Sequence, residues 1–100
     1  MATTEGGNNV EGGGSVEAVS EISTVLYDRT GAIKHIHHNV TLRGGHELTE
    51  DEMAAAATDV LRRQQRPVDG LQAIHIPTST LEPRKRYRVD TQKRIVVDQT

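Results

Sequence analysis

The fold is decided by residues 20–42, which read SEISTVLYDRTGAIKHIHHNVTL. The first limb is rich in β-branched residues and predicts a strand. Residues 28–31, DRTG, predict a turn, because an Asp at the first position accepts hydrogen bonds from the backbone ahead and a Gly at the fourth tolerates positive φ. Three apolar residues of the returning limb share one parity, namely Ile36, Val40 and Leu42. We therefore expect a β-hairpin over residues 22–42.

A helix is expected after Gly44-Gly45. Thr49-Glu50-Asp51-Glu52 has the pattern of a capping box, in which the Thr49 hydroxyl accepts from the Glu52 amide and the Glu52 carboxylate accepts from the Thr49 amide. Four alanines follow, and alanine is the best helix former. The helix is predicted over residues 50–65, ended by Pro67 and Gly70. Its inward stripe is predicted to consist of Met53, Ala56, Ala57, Val60 and Leu61.

The rest of the chain adds strands and an arm. Residues 71–76, LQAIHI, predict a third strand, and residues 86–98 predict a second hairpin with its turn at 90–93. Residues 1–19 are rich in glycine and predict an extended arm, which leaves residues 20–100 as the domain. The fold class is therefore α+β, a small antiparallel sheet of two β-hairpins plus one strand packed on a single helix.

The composition favours a protein that needs a partner. Aromatic residues make up 2% of the 100 residues, and cysteine is absent, so neither a disulfide nor a thiolate metal site can strengthen a thin core. The arm cannot offset its own ordering entropy, which predicts that it extends over a neighbouring subunit as a tether, with Val10 as an apolar anchor. Oligomerisation or docking into an assembly follows from both observations.

The net charge of −2 hides a division of the chain. Residues 1–61 carry ten acids and three bases, and residues 62–100 carry nine bases and four acids. Such asymmetry suits head-to-tail packing of copies, or docking of the basic half on an acidic partner. An apolar run of membrane-spanning length and a signal peptide are both absent, so we expect synthesis in a cytoplasm and no membrane partner.

Two clusters of side chains are candidates for binding. His35 and His37 share one face of a strand, where two imidazoles could ligate a transition metal, and three copies would offer six ligands on a trimer axis. The alternative is that both are solvated polar residues, with His38 on the opposite face. The second cluster is basic and could neutralise phosphates, dock on a partner or form a solvated face. It consists of Arg84, Lys85, Arg86 and Arg88.

Catalysis has little support in the sequence. It contains no cysteine nucleophile, no G-x-S-x-G, no H-E-x-x-H and no phosphate-binding glycine loop. The carboxylates at 50–52 are explained by helix capping. Nucleic-acid binding is disfavoured by a pI near 6.2. The chain is therefore expected to be non-enzymatic and to have no cofactor apart from the metal that His35 and His37 could hold.

Two segments resemble known proteins. Residues 26–33, LYDRTGAI, and residues 87–96, YRVDTQKRIV, are similar to hairpin elements of small virion proteins of tailed bacteriophages. The resemblance covers about 20 of the 100 residues, and the alanine-rich helix and the arm depart from it. It implies a structural virion protein, tail-associated or at the capsid surface, that binds copies of itself or other virion proteins. The alternatives are a nucleic-acid-binding accessory protein and a metal-stapled trimer.

Overall fold

The computed structural model describes residues 17–99 and confirms an α+β fold. The elements in chain order are β1 (Ala18–Tyr27), β2 (Ile33–Leu42), α1 (Glu50–Arg63), β3 (Gln72–Pro77), a 3₁₀ helix (Thr78–Thr80), β4 (Tyr87–Asp90) and β5 (Ile95–Asp98). Most of the predicted arm, including Val10, lies outside the described residues. Its last residues differ from the prediction, because Ala18 and Val19 already belong to β1 and pair with the end of β2.

The strands form two sheets, whereas the sequence predicts one. β1 lies between β2 and β3 in an antiparallel sheet, and β4 and β5 form a separate hairpin. β2 pairs with the full length of β1, but β3 pairs only from Ile22 onward. The two strands at the open end of the first hairpin therefore project beyond β3. We call this projection the ribbon and define it as residues 17–21 and 40–43.

The core lies on both faces of the three-stranded sheet. On the helix face, Leu26 packs with Ala57 and Leu61. On the hairpin face, Val25 and Tyr27 pack with two residues from other strands, Ile74 and Val89. Because both faces are covered, residues 23–27 of β1 are all buried. Of the predicted helix stripe, Met53, Ala57 and Leu61 are buried, and Ala56 and Val60 are half-buried.

The two ends of α1 are capped by different means. The predicted capping box is confirmed: the Glu52 amide donates to Thr49 Oγ1 over 3.2 Å, and the Thr49 amide donates to Glu52 Oε1 over 2.8 Å. The helix ends at Arg63, two residues earlier than predicted. It ends there because Gln65 turns into the left-handed region at φ 58°, and the Gln65 and Arg66 amides donate back to the carbonyls of Arg62 and Leu61.

The small hairpin is attached to the sheet at two places. At the tip of the first hairpin, Gly31 has a φ of +91° and its carbonyl accepts from the Val89 amide over 2.9 Å. A Cβ on Gly31 would lie 2.2 Å from the Val89 carbonyl oxygen. On the other side, the Arg94 guanidinium donates to the Ala73 carbonyl over 2.9 Å. The tip of the first hairpin therefore determines where β4 and β5 lie.

Candidate functional site

The proposed metal ligands lie on the helix face of the sheet. His35 pairs with Leu26 across β1 and β2, and His37 pairs with Thr24. The two rings are 6.0 Å apart between centroids. Within residues 17–99, no group of three or more His, Cys, Asp or Glu side chains is arranged to hold a metal ion. A metal at this place would need ligands from other copies, so the metal-stapled trimer stays a prediction.

The surroundings of His35 favour a neutral imidazole. Burial lowers the pKa of His35 from its ordinary value, and the nearby positive charges of His37 and Arg66 lower this pKa further. The Arg66 guanidinium is fixed on β2 by a 2.7 Å hydrogen bond to the Lys34 carbonyl. His35 Nε2 is buried without a hydrogen-bond partner among the described residues. The charge that disfavours a proton here also disfavours a metal cation.

A buried serine and a third histidine meet on the hairpin face. Ser23 Oγ lies 2.8 Å from His38 Nδ1 and 3.0 Å from Thr78 Oγ1. The expectation that His38 points away from His35 is confirmed. The Ser23 to His38 distance matches that of an activated nucleophile, but Ser23 is fully buried, so a substrate cannot reach it. The contact instead satisfies a polar group inside the sheet.

The neighbouring residue Thr24 repeats this arrangement on the helix face. Thr24 Oγ1 lies 2.9 Å from His75 Nδ1 and accepts from Asn39 Nδ2 over 3.0 Å. Thr24 is also fully buried. Neither hydroxyl could be assigned a partner from the sequence, because the partners lie on other strands and depend on the register of the sheet. The available signal was two adjacent polar residues, Ser23 and Thr24, inside an otherwise apolar strand.

The basic cluster does not act as one patch. The Lys85 ammonium lies 3.2 Å from a carboxylate oxygen of Glu82 and 3.4 Å from one of Asp98, and these hydrogen bonds raise the pKa of Lys85. Arg88 donates to the Thr30 carbonyl over 2.6 Å, which ties the small hairpin to the tip of the first hairpin. Arg84 and Arg86 are exposed. Lys85 and Arg88 therefore help to hold the fold together.

Large apolar side chains are exposed at two separated places. On the ribbon, Val40 is 54% exposed and Leu42 is 44% exposed, and Val19 is exposed beside them. On the small hairpin, Ile95 is 48% exposed and Val97 is 40% exposed. The shared parity of Val40 and Leu42 with Ile36 was predictable from the sequence, but their exposure was not. They are exposed because the small hairpin packs on this face of the sheet at Val25 and Tyr27 and leaves the ribbon uncovered.

The clefts of the described residues are open, and one of them gathers several charged side chains. One of about 370 Å³ is lined by Asp28, Lys34, Arg66, Pro67, Asp69 and Leu71. Three of its charged groups have partners within the chain: Asp28 accepts from Thr30 and Ala32, Lys34 lies 3.7 Å from Asp28, and Arg66 donates to the Lys34 carbonyl. The hydrogen bond from the Thr30 side chain is the main cause of the lowered pKa of Asp28. Asp28, Lys34 and Arg66 therefore have structural roles in this cleft.

Comparison with known proteins gives no relative. No family model matches the chain, and neither a curated protein nor a solved structure matches it. Within residues 17–99, no helix is both long enough and apolar enough to cross a membrane. The candidate site of this protein is therefore defined by its own surface, and it consists of the exposed apolar residues of the ribbon and of the small hairpin.

Proposed function

We propose that this protein is a non-enzymatic structural subunit of a larger assembly. The observation that carries the proposal is the ribbon, a two-stranded extension with three exposed apolar side chains, Val19, Val40 and Leu42. Contiguous exposed apolar groups of this kind mark interaction surfaces. A neighbouring subunit that covers the ribbon would gain on the order of 1 kcal/mol from each of these half-exposed side chains.

The edge of the sheet supports the same function. β2 is an outer strand of ten residues, and its last residues project past β3 together with β1. Outer strands present backbone donors and acceptors, and long ones pair readily with another chain. A subunit in an assembly can use such an edge, whereas a free monomer would be at risk of aggregation.

The proposed assembly is a phage particle. The support is the resemblance of residues 26–33 and 87–96 to hairpins of small virion proteins, and these segments are the tip of the first hairpin and most of the second. The protein would be tail-associated or at the capsid surface. Residues 1–16 would extend from the start of β1 onto a neighbour as a tether.

The test is incorporation into the native assembly. A tagged chain is expressed in cells in which that assembly forms, and particles are separated from free protein by gradient sedimentation. We expect the chain in the particle fraction, and we expect Val40→Glu to lower its incorporation about tenfold, which corresponds to about 1.4 kcal/mol of lost docking energy. Removal of residues 1–16 should lower incorporation while leaving the thermal unfolding midpoint unchanged.

The matched control is Ala55→Glu, which adds the same charge at an exposed position of α1 away from the ribbon. This variant should incorporate like the unmodified chain. The proposal is overturned if the unmodified chain sediments only as free protein, or if Val40→Glu and Ala55→Glu incorporate equally well.

A further inference from the structure

We infer that the subunit covering the ribbon is a second copy of this chain, which docks the outer face of its β4–β5 hairpin on the ribbon end of the first copy. This inference rests on the proposed function and names the partner for it. It follows from the charges and apolar residues that the fold gathers at its two ends.

The ribbon end is acidic. Residues 17–21 and 40–52 hold six acids and one arginine, a net charge of −5 with neutral histidines. We call these residues the acidic end. Glu21 lies opposite the exposed Val40 in the register of β1 and β2, so a carboxylate borders the apolar surface of the ribbon. Glu47 and the first turn of α1 supply further exposed carboxylates.

The segment that carries the small hairpin has the opposite charge. Val89 and Val96 point inward to the core, so the alternate positions of β4 and β5 point outward. Ile95 and Val97 occupy two of these outward positions, and Val97 lies opposite Arg88. Residues 82–98 hold six bases and three acids, a net charge of +3. We call this surface the basic face. It therefore presents exposed apolar side chains within a segment that carries an excess of positive charge.

The exposed apolar residues of the two surfaces lie towards opposite ends of the first hairpin within one chain. β4 contacts the tip of the first hairpin through Gly31 and Val89. The ribbon lies at the other end of that hairpin and begins at Glu21, six residues before the end of β1 at Tyr27, which is about 20 Å at a rise of about 3.3 Å per residue. An acidic apolar surface at one end and a basic apolar surface at the other are complementary between copies.

This arrangement is head-to-tail. Each copy uses its acidic end for one neighbour and its basic face for another, so the contact is heterologous and generates a ring or an open filament. Because opposite charges border the contact, association should weaken as salt screens them. A head-to-tail contact and association that depends on salt both suit a subunit that is repeated around or along a particle.

The experiment measures the mass of the purified chain by light scattering at about 50 mM and about 500 mM salt. We expect oligomers at low salt and dissociation at high salt. The pair Glu21→Lys and Glu47→Lys reverses charge at the acidic end, and the pair Arg84→Glu and Lys93→Glu reverses charge beside the basic face. Each double variant alone should raise the dissociation constant at least tenfold.

Mixing the two double variants provides the decisive readout. In the mixture, the altered acidic end of one variant meets the altered face of the other, and the two unaltered surfaces also meet, so both contacts are complementary again. We expect oligomers to reappear. Ala55→Lys, which changes the charge on the exposed side of α1, should associate like the unmodified chain, and circular dichroism should show that all variants are folded.

Several outcomes overturn the inference. A monomer at low salt does so, and so does association that survives both pairs of substitutions or that mixing does not restore. The proposed function fails separately. A chain that self-associates but is absent from the particle fraction contradicts the proposed function alone, and a monomer that incorporates into the particle contradicts only the identity of the partner.

Discussion

Burial of His35 couples the stability of the protein to pH. Its imidazole lies between the sheet and α1, with Arg66 nearby, so the folded protein favours the neutral ring. The unfolded chain has no such preference. Between the lowered pKa of the folded state and the ordinary value of 6.5, the unfolded chain therefore binds a proton that the folded protein does not.

We expect the free energy of unfolding to fall as the pH is lowered from about 7 through this window, because protonation favours the unfolded state. His35→Gln should flatten this dependence between about pH 7 and pH 5. The measurement is the urea midpoint at several pH values. The control is His46→Gln, since the His46 side chain is 79% exposed. Equal slopes for His35→Gln and the unmodified protein would contradict the prediction.

The hydrogen-bond partners of the buried polar residues in β1 could not be predicted from the sequence. His35 and His37 could be placed on one face, and His38 on the other, because strand parity is a local property. The hydrogen bonds of Ser23 and Thr24 depend on which residues of β2 and β3 lie opposite them. That register is set by packing over about 50 residues of sequence, so it is not visible in any short pattern.

At the scale of elements, the start of α1 was predicted correctly from the sequence and its end was not. The N-terminal cap was predictable because Thr49 and Glu52 are three residues apart in the sequence and bond to each other. The C-terminal end was predicted two residues too late. Pro67 and Gly70 are common stop signals, but the helix stops earlier, at a left-handed Gln65, a position where glycine is usual.

Gln65→Gly should stabilise the protein by about 0.5–1 kcal/mol. The left-handed backbone conformation has a free-energy cost of about that size for a residue with a Cβ, and almost none for glycine. Chemical denaturation measures the change. The comparison is Gln64→Gly, one residue earlier, where φ is −86°. That variant should lower stability, and a stabilisation by Gln64→Gly as large as that of Gln65→Gly would contradict the explanation.

At the scale of the whole molecule, the strands form two sheets, whereas the sequence predicts a single sheet. Both hairpins were predicted within a few residues of their observed bounds, and so was the single helix. Their relative placement was not, because it depends on contacts between distant segments, among them the close approach of backbone to backbone at Gly31. A glycine in a turn signals positive φ, but it does not reveal that another strand lies against it.

Gly31→Ala should therefore detach the small hairpin from the sheet. The left-handed φ alone costs about 1–3 kcal/mol, and the added methyl group would also collide with the Val89 carbonyl. Gly44→Ala is the matched control, since Gly44 has a φ of +81° and nothing within 4 Å of the added carbon. The unfolding free energy of Gly31→Ala should fall further than that of Gly44→Ala. Equal losses would mean that the contact with Val89 contributes nothing.

The place of the small hairpin in the chain has a consequence for synthesis. A ribosome releases β1, β2, α1 and β3 before β4 and β5, so the sheet and helix can form while the face that carries Val25 and Tyr27 is still bare. Val89 covers that face only after the final strands emerge. During translation the nascent chain therefore has one apolar face of its sheet exposed. The β4–β5 hairpin completes the domain by covering this face.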